Sequence, residues 1–290
     1  MNNYHQNCLI CGSSELNTLK NFSKAFLCKC KSCSFVFSEK IPSEIELINY
    51  YNGYGRNDYL SPITIKRYHE LLDKMEVFRK TNRILDVGCG IGYFLEVAIE
   101  RGWEVYGTEY TDKALEICSK KGINMMQGKL DSANYEQEFF DVITSFEVIE
   151  HINNPNQEIQ HFQRILRKGG LVYITTPNFN SLLRYRLKEQ YNVITYPEHL
   201  SYYTPYTLNK LFSLNGLKKK KIETTGISIT RLKTSQNKSN EKFVSANSAD
   251  EKLRTKFENK RALNYLKNSA NLFLTILGCG DSLKGWFVKI

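Results

Sequence analysis

From Arg83 onward, short apolar runs alternate with longer stretches of helical spacing. RILDV is apolar enough for a strand buried on both faces, and YFLEVAIERG follows as a helix closed by Gly102. EVYGT reads as a second strand, and TDKALEICSKKG as a helix with Thr111 or Asp112 at its N-cap and Gly122 at its end. INMMQ, FDVITS and LVYITT continue the series as third, fourth and fifth strands, the last after the turn KGG. Strands and helices alternating at this spacing predict a parallel sheet covered on both faces. KKKKIETTGI and the C-terminal GWFVKI add two further strands, and the stretch between them, about residues 233–282, reads as a polar insertion. Upstream, ITIKRYHELLDKMEVFRK places Ile65, Tyr68, Leu72, Met75 and Phe78 on one side of a helix.

Composition narrows this frame. With 290 residues, 41% hydrophobic and 24% charged, the chain holds one generous domain, or one domain with a small appendage. MNNYHQN lacks the basic-then-apolar order of a signal peptide, and the longest nearly apolar stretch, Asn271 to Gly278, is too short for a membrane span. The expectation is a cytoplasmic protein whose thiols stay reduced. The net charge of +10 raises nucleic acid as a partner, but the cations are scattered, and the one tight run, Lys218 to Lys221, suits a sheet edge. No oligomeric state can be read from the sequence.

LDVGCGIGYF sets Gly88, Gly90 and Gly92 in the turn after the first strand of the series, where backbone can approach a ligand. The spacing is G-x-G-x-G, with Tyr93 where a pyrophosphate-binding loop would have its third glycine. Asp86 precedes the loop, where it would repel a pyrophosphate but hold a cationic or amino-bearing ligand. Glu109 closes the second strand, the place of an acid that bonds ribose hydroxyls.

These blocks, with FDVITSFEVIEHINNP and LRKGGLVYITTPN in the same order and spacing, resemble class I S-adenosylmethionine-dependent methyltransferases over roughly residues 83–232. The resemblance implies an α/β, Rossmann-like fold: a mostly parallel sheet with an antiparallel C-terminal strand. It implies that Asp86, Gly88, Gly90 and Gly92 shape the pocket for the methionine part of the cofactor and that Glu109 binds its ribose. Tyr110 and Leu130 would flank the adenine, and Phe146 and Glu147 would border the cofactor near the acceptor. Glu150 and His151 belong to the same EVIEHI block, where either a chemical role or a structural pair on a helix fits.

Cys8-Leu-Ile-Cys11 and Cys30-Lys-Ser-Cys33 are two C-x-x-C knuckles at the spacing of a four-thiolate zinc ribbon. The ribbon occupies residues 1–40, a segment with little core that zinc would fold. Four ligands leave no open position, so this zinc is structural. Cys28 competes as a ligand but makes the poorer knuckle. Residues 41–80 form a helical, tyrosine-rich linker, in which Tyr50, Tyr51, Tyr54 and Tyr59 either cover the acceptor as a lid or pack between modules. Residues 81–290 are the methyltransferase domain.

TYPEHLSYYT, after the fifth strand, borders the sheet edge where acceptors bind in open α/β folds. A methyl transfer needs the acceptor's proton removed, which suits His199, with Glu198 or Tyr196 orienting substrate or stabilising the imidazolium. Tyr196, Glu198, His199, Leu200, Ser201 and Tyr202 resemble the Y-x-E-H-L-S-[YF] signature of sugar-nucleotide C-methyltransferases, which also begin with a zinc module. Pro197 stands where those enzymes often carry histidine, and their additional C-terminal domain is missing from this chain. Shorter zinc-ribbon methyltransferases of surface-polysaccharide biosynthesis are nearer in layout. The resemblance implies a sugar or sugar-nucleotide acceptor, methylated at oxygen. C-methylation of a nucleotide-linked keto-sugar and modification of a nucleic acid stand as alternatives, as does a polar turn that only caps the helix TPYTLNKLFSLNG.

Overall fold

The computed structural model describes residues 3–51, 60–236, 249–258 and 260–290. In chain order the strands and α-helices are β1 (Leu16–Thr18), β2 (Leu27–Cys30), β3 (Val36–Ser38), α1 (Glu44–Tyr51), α2 (Pro62–Met75), β4 (Arg83–Val87) and α3 (Tyr93–Glu100). Then come β5 (Glu104–Glu109), α4 (Asp112–Lys120), β6 (Asn124–Gln127), β7 (Phe140–Phe146), α5 (Pro155–Ile165), β8 (Leu166–Pro177) and α6 (Leu182–Leu187). The chain closes with β9 (Ser201–Tyr202), α7 (Pro205–Leu214), β10 (Leu217–Thr225), α8 (Ile229–Ser235), α9 (Ala249–Glu258), α10 (Arg261–Leu277) and β11 (Ser282–Lys289).

Seven strands form one sheet in the order β10-β11-β8-β7-β4-β5-β6. The pairs among β4 to β8 are parallel, and β11 runs antiparallel to both β8 and β10. This is the mostly parallel sheet with an antiparallel C-terminal strand that the sequence predicts. Period-two alternation divides each central strand between two cores. On β8, Leu171 and Tyr173 join α2 and α3 through Leu72, Met75 and Phe94, while Val172 and Ile174 join α5 and α7 through Phe162, Leu208 and Phe212. Lys218 to Lys221 are exposed on β10, the edge strand, where unpaired backbone would otherwise invite another chain.

The second sheet has the order β1-β2-β3-β9. The cysteine knuckles lie before β1 and at the turn from β2 into β3, with Cys30 closing β2; the fourth strand is donated by TYPEHLSYYT. Val36 pairs with Tyr202 and Phe37 with Ser201, antiparallel, and Ser38 N–H donates to Leu200 O at 2.8 Å. Phe35 packs on Tyr203 at 5.2 Å between centroids, and Asn156 Nδ2 on α5 donates to Leu9 O at 2.7 Å. The N-terminal segment therefore builds onto the segment that bears Glu198 and His199.

Two elements differ from the sequence expectation. Glu150 and His151 lie in a 3-10 turn, Ile149–His151, rather than on an α-helix. The stretch read as a polar insertion is mostly helical where it is described: α8 ends within it, and α9 and α10 occupy most of its second half. Tyr54 and Tyr59, half of the tyrosine lid, lie outside the described residues.

Candidate active site

The glycine loop leaves the carboxyl end of β4. Gly88 has φ +69°, and a Cβ there would lie 2.6 Å from Val148 Cγ2; Gly92 has φ +79°, and its Cβ would lie 2.5 Å from Ile123 Cδ1. Both glycines are thus fixed by the packing beneath the loop as well as by its left-handed backbone. The loop is tied to the next strand by Gly88 N–H donating to Thr108 Oγ1 at 3.1 Å. Glu109 sits at the end of β5 and accepts from Gly90 N–H at 3.1 Å and Tyr110 N–H at 2.9 Å. One carboxylate therefore spans the two turns that would meet a nucleoside.

Asp86 is buried at the end of β4 and accepts from Thr144 Oγ1 at 2.8 Å. Burial pushes its carboxyl up to about 8, against the opposing effect of the Thr144 bond. A cationic group brought beside it would restore the charged form. Leu130 is buried in the same core cluster as Leu85 and Val87, whereas Tyr110 lies exposed beside Glu109. At the end of β7, the Phe146 ring meets Phe94 at 5.1 Å, Tyr173 at 5.7 Å and Tyr68 at 6.1 Å, an aromatic wall. Glu147, next to it, has φ +54°, a left-handed backbone unusual for a residue with a side chain, held by its N–H donating to Thr175 O. Its side chain opens to solvent while protein crowds round it, and that desolvation raises its carboxyl above the ordinary value.

Across the same edge the 3-10 turn meets TYPEHLSYYT. Leu200 N–H donates to Glu150 O at 2.7 Å, locking the two segments together. The rings of His151 and His199 lie 4.8 Å apart, edge to face. His151 Nδ1 is 2.7 Å from Glu198 O, and His199 Nδ1 is 2.6 Å from Val193 O. A carbonyl oxygen only accepts, so each Nδ1 carries the hydrogen and each Nε2 keeps a lone pair. Burial lowers both imidazoles, His199 to about 4, so both are neutral at pH 7. Glu150 is buried, accepts from Thr176 Oγ1 at 2.9 Å, and is raised well above the carboxylate range by burial and then by Glu147. Glu198 accepts from Tyr50 hydroxyl at 2.5 Å and Thr195 hydroxyl at 3.1 Å.

Tyr196 is not part of this group. Its hydroxyl donates to Glu46 Oε2 at 3.4 Å, its ring lies under Lys40 Nζ at 5.0 Å, and it meets Phe26 edge-on. The sequence reading missed Tyr50 as the partner of Glu198 and Thr144 as that of Asp86; neither has a local signal, since each contact joins distant segments.

In the N-terminal sheet, Cys8, Cys11, Cys30 and Cys33 bring their sulfurs within 4.8 Å of one another. Cys8 Sγ lies 3.4 Å from Cys33 Sγ, and Cys11 Sγ 3.6 Å from Cys30 Sγ. Cys28 is buried on the same strand as Cys30 but lies outside this group. Thiols gathered this way fit a tetrahedral four-thiolate ion.

A profile of the methyltransferase domain family matches residues 58–221. The ubiquinone biosynthesis O-methyltransferase of Leptothrix cholodnii is 24% identical over 129 residues, 42% of this chain and 53% of that protein. Its namesake from Nitrosospira multiformis is 32% identical over 104 residues, 33% of this chain and 44% of that one. The chain thus spans about half the length of the curated relatives it matches. A SAM-dependent methyltransferase structure from Archaeoglobus fulgidus shares the fold, with a TM-score of 0.52 and 18% identity over 86% of this chain and all of that one. A geranyl diphosphate methyltransferase structure has the same score at 15% identity, covering 78% of each chain.

The relatives' name overturns the sugar or sugar-nucleotide acceptor expected from TYPEHLSYYT. The geometry explains how the motif misled. Its spacing does not assemble one polar constellation: Tyr196 turns to Glu46 and Lys40, and Ser201 and Tyr202 form the strand that joins the N-terminal sheet.

Proposed function

Since the chain belongs to the methyltransferase domain family, we propose that it transfers the methyl group of S-adenosylmethionine to a hydroxyl on a quinone-type ring. The observation that carries this reading is the meeting, at one sheet edge, of the Gly88–Gly92 loop capped by Glu109 with two neutral imidazoles. The relatives' part in ubiquinone biosynthesis supports the acceptor class. So does Phe146 beside Glu147, a half-buried ring backed by the core residues Phe94 and Tyr173 and by half-buried Tyr68, which offers an aromatic edge to a planar ring.

In this reading Gly88, Gly90 and Gly92 hold the methionine part, with Asp86 beside them, and Glu109 takes the ribose hydroxyls in place of Gly90 N–H. Tyr110 and Leu130 flank the adenine, and Phe146 and Glu147 border the methyl. The acceptor oxygen attacks the methyl carbon in line as the carbon–sulfur bond breaks, leaving S-adenosylhomocysteine. The hydroxyl's proton must leave, and the Nε2 lone pairs of His199 and His151 are free to accept it. Glu198, fixed by Tyr50 and Thr195, offers its main-chain oxygen to His151 and holds that ring's tautomer. A structural zinc on Cys8, Cys11, Cys30 and Cys33 completes the reading: the ion folds the sheet on which Ser201 and Tyr202 are paired. Among the described residues no helix is long and apolar enough to cross a membrane.

The test is labelled S-adenosylmethionine with a panel of hydroxylated quinols and phenols, followed by mass and NMR analysis. An O-methyl ether on an aromatic carbon is the expected product. Tight NAD binding with no affinity for S-adenosylmethionine would sink the cofactor; methylation at carbon would sink the acceptor.

A further inference from the structure

Helix α10 turns its polar side inward. Thr275 Oγ1 donates to Thr224 O at 2.9 Å, Asn271 Oδ1 accepts from Gly226 N–H at 2.9 Å, and Lys267 Nζ donates to Glu258 at 2.7 Å. Leu274 alone is fully buried on this helix. The outward side carries Tyr265, Leu266, Leu272, Phe273, Ile276 and Leu277, each between 54% and 74% exposed. One exposed leucine needs no explanation, but six large apolar residues on one helix form a patch. The patch continues past the end of α10. Leu182 N–H donates to Cys279 O there, and Tyr185 hydroxyl donates to Asn180, whose Nδ2 holds Gly278 O. Both Leu182 and Tyr185 are exposed.

The order of residues along this stripe selects its occupant. Leu266 and Leu272 stand three residues either side of Ser269, Tyr265 and Phe273 four, and Ala262 and Ile276 seven. Positions at these spacings share one face of a helix. In an antiparallel pair with a two-fold axis at Ser269, Tyr265 meets Phe273 of a second copy, Leu266 meets Leu272, and small Ala262 meets Ile276. Ser269 itself is small enough for the helices to approach closely. Lys267, the one charge between Ala262 and Leu277, is turned inward, so no like charges meet. Arg261, eight residues before Ser269, falls beside Leu277 of the second copy, eight after it. Among the described residues the carbonyls of Ile276 and Leu277 accept no hydrogen bond, and they form the negative end of the helix dipole. We propose that two copies of this chain pair through antiparallel α10 helices about a two-fold axis at Ser269. The helix is about 25 Å long. That is short of the roughly 800 Å² per partner of a standard interface, and Leu182 and Tyr185 extend the surface at the end where the second copy's first turn falls. A lipid surface fits less well, because a helix lying in one keeps its polar, basic side in water, whereas α10 packs that side against its own protein.

Sedimentation velocity across the micromolar range is expected to show the full chain passing from one copy to two. Leu266→Glu combined with Phe273→Glu should hold it at one copy, with circular dichroism unchanged, since both side chains are exposed. Arg261→Glu should weaken pairing by roughly tenfold, because it sets an anion against two helix C-termini at once. Association through a merely sticky patch would ignore that charge. Ser269→Cys reads the register: a short bis-maleimide should join two chains of this variant far beyond the wild-type background, and should join Arg261→Cys hardly at all. A wild type that stays a single chain throughout overturns the proposal, as does a dimer that survives Leu266→Glu with Phe273→Glu. Dimers indifferent to Arg261→Glu, in which Ser269→Cys is not joined, overturn the two-fold pairing. A single-chain wild type that binds phosphatidylglycerol vesicles, and loses them in the double variant, assigns the patch to lipid and overturns it as well.

Discussion

The cysteine group and the Glu150–His151–His199 group are two answers to one problem, how a chain gathers reactive side chains at one point. The cysteines come as two close pairs, so each tight turn delivers two sulfurs and only the turns must meet. The second group comes from a 3-10 turn and a distant loop, with His151 Nδ1 reaching an oxygen 47 residues along the chain. The first draws four soft thiols together and suits structure. The second mixes nitrogen and oxygen and lies at the sheet edge, which suits chemistry. Yet they are mechanically joined: β3 of the cysteine sheet pairs with β9, immediately after His199.

The largest expected effect follows from that joint. Structural zinc supplies roughly 10–16 kcal/mol of apparent binding energy to small modules, so Cys11→Ser should release the ion and disorder the N-terminal sheet. Because β9 then loses its partner, turnover should fall to background while S-adenosylmethionine affinity stays within about twofold of wild type. Zinc analysis, circular dichroism and calorimetry read the three parts. A Cys11→Ser enzyme with normal turnover would show that the two regions are independent.

His199→Ala makes the reciprocal cut. Turnover should drop by about two to four powers of ten, the usual worth of a positioned base. Zinc content should stay at one ion per chain, since none of the cysteine ligands is touched. Loss of zinc in this variant would erase the distinction between the two groups.

The contrast also marks what the sequence could disclose. The strands β4 to β8 and helices α3 and α4 are visible because each carries its own period and its own stops, such as Gly102 and Gly122, both at positive φ. The C-x-x-C pairs are visible because metal spacing is local. The meeting of His151 with His199, and of Tyr50 with Glu198 across 148 residues, is chosen by tertiary packing and leaves no local trace. β9 is two residues long, too short for any pattern. α10 hid for a different reason. Its inward positions include Asn264, Lys267, Asn271 and Thr275, while Leu272, Phe273 and Ile276 face outward, so its apolar residues do not mark the buried face.

Glu109→Ala tests a third place that neither group should reach. Loss of a hydrogen-bonded charged group typically costs about 1.5–3 kcal/mol, so S-adenosylmethionine should bind more weakly by roughly one to two powers of ten. Zinc content should not change. If turnover at saturating cofactor falls as far as it does in His199→Ala, the acceptor side is coupled to the glycine loop, and the comparison must be redrawn around one site.

The smallest expected effect is on stability with pH. His199 titrates near 6.5 when exposed and at about 4 in the fold, where burial and neighbouring His151 disfavour its charge. Between those values the unfolded chain binds a proton that the folded chain refuses. Stability therefore rises with pH across this window: the contribution is complete above about 6.5, lost progressively down to about 4, and changes no further below that. Glu150, raised by burial, acts in the opposite sense, and protonation of cysteine thiolates adds its own loss in acid. Both are common to wild type and His199→Gln, so the difference between the two proteins isolates the imidazole. Partial exposure and the neighbouring imidazole reduce the effect, leaving about 1–2 kcal/mol between pH 7.5 and pH 5. Denaturant unfolding at the two pH values should show wild type losing that much more than His199→Gln. Parallel losses would mean that His199 is solvated and ordinary, and the acceptor-side group would then lack the desolvated imidazole on which its difference from the cysteines depends.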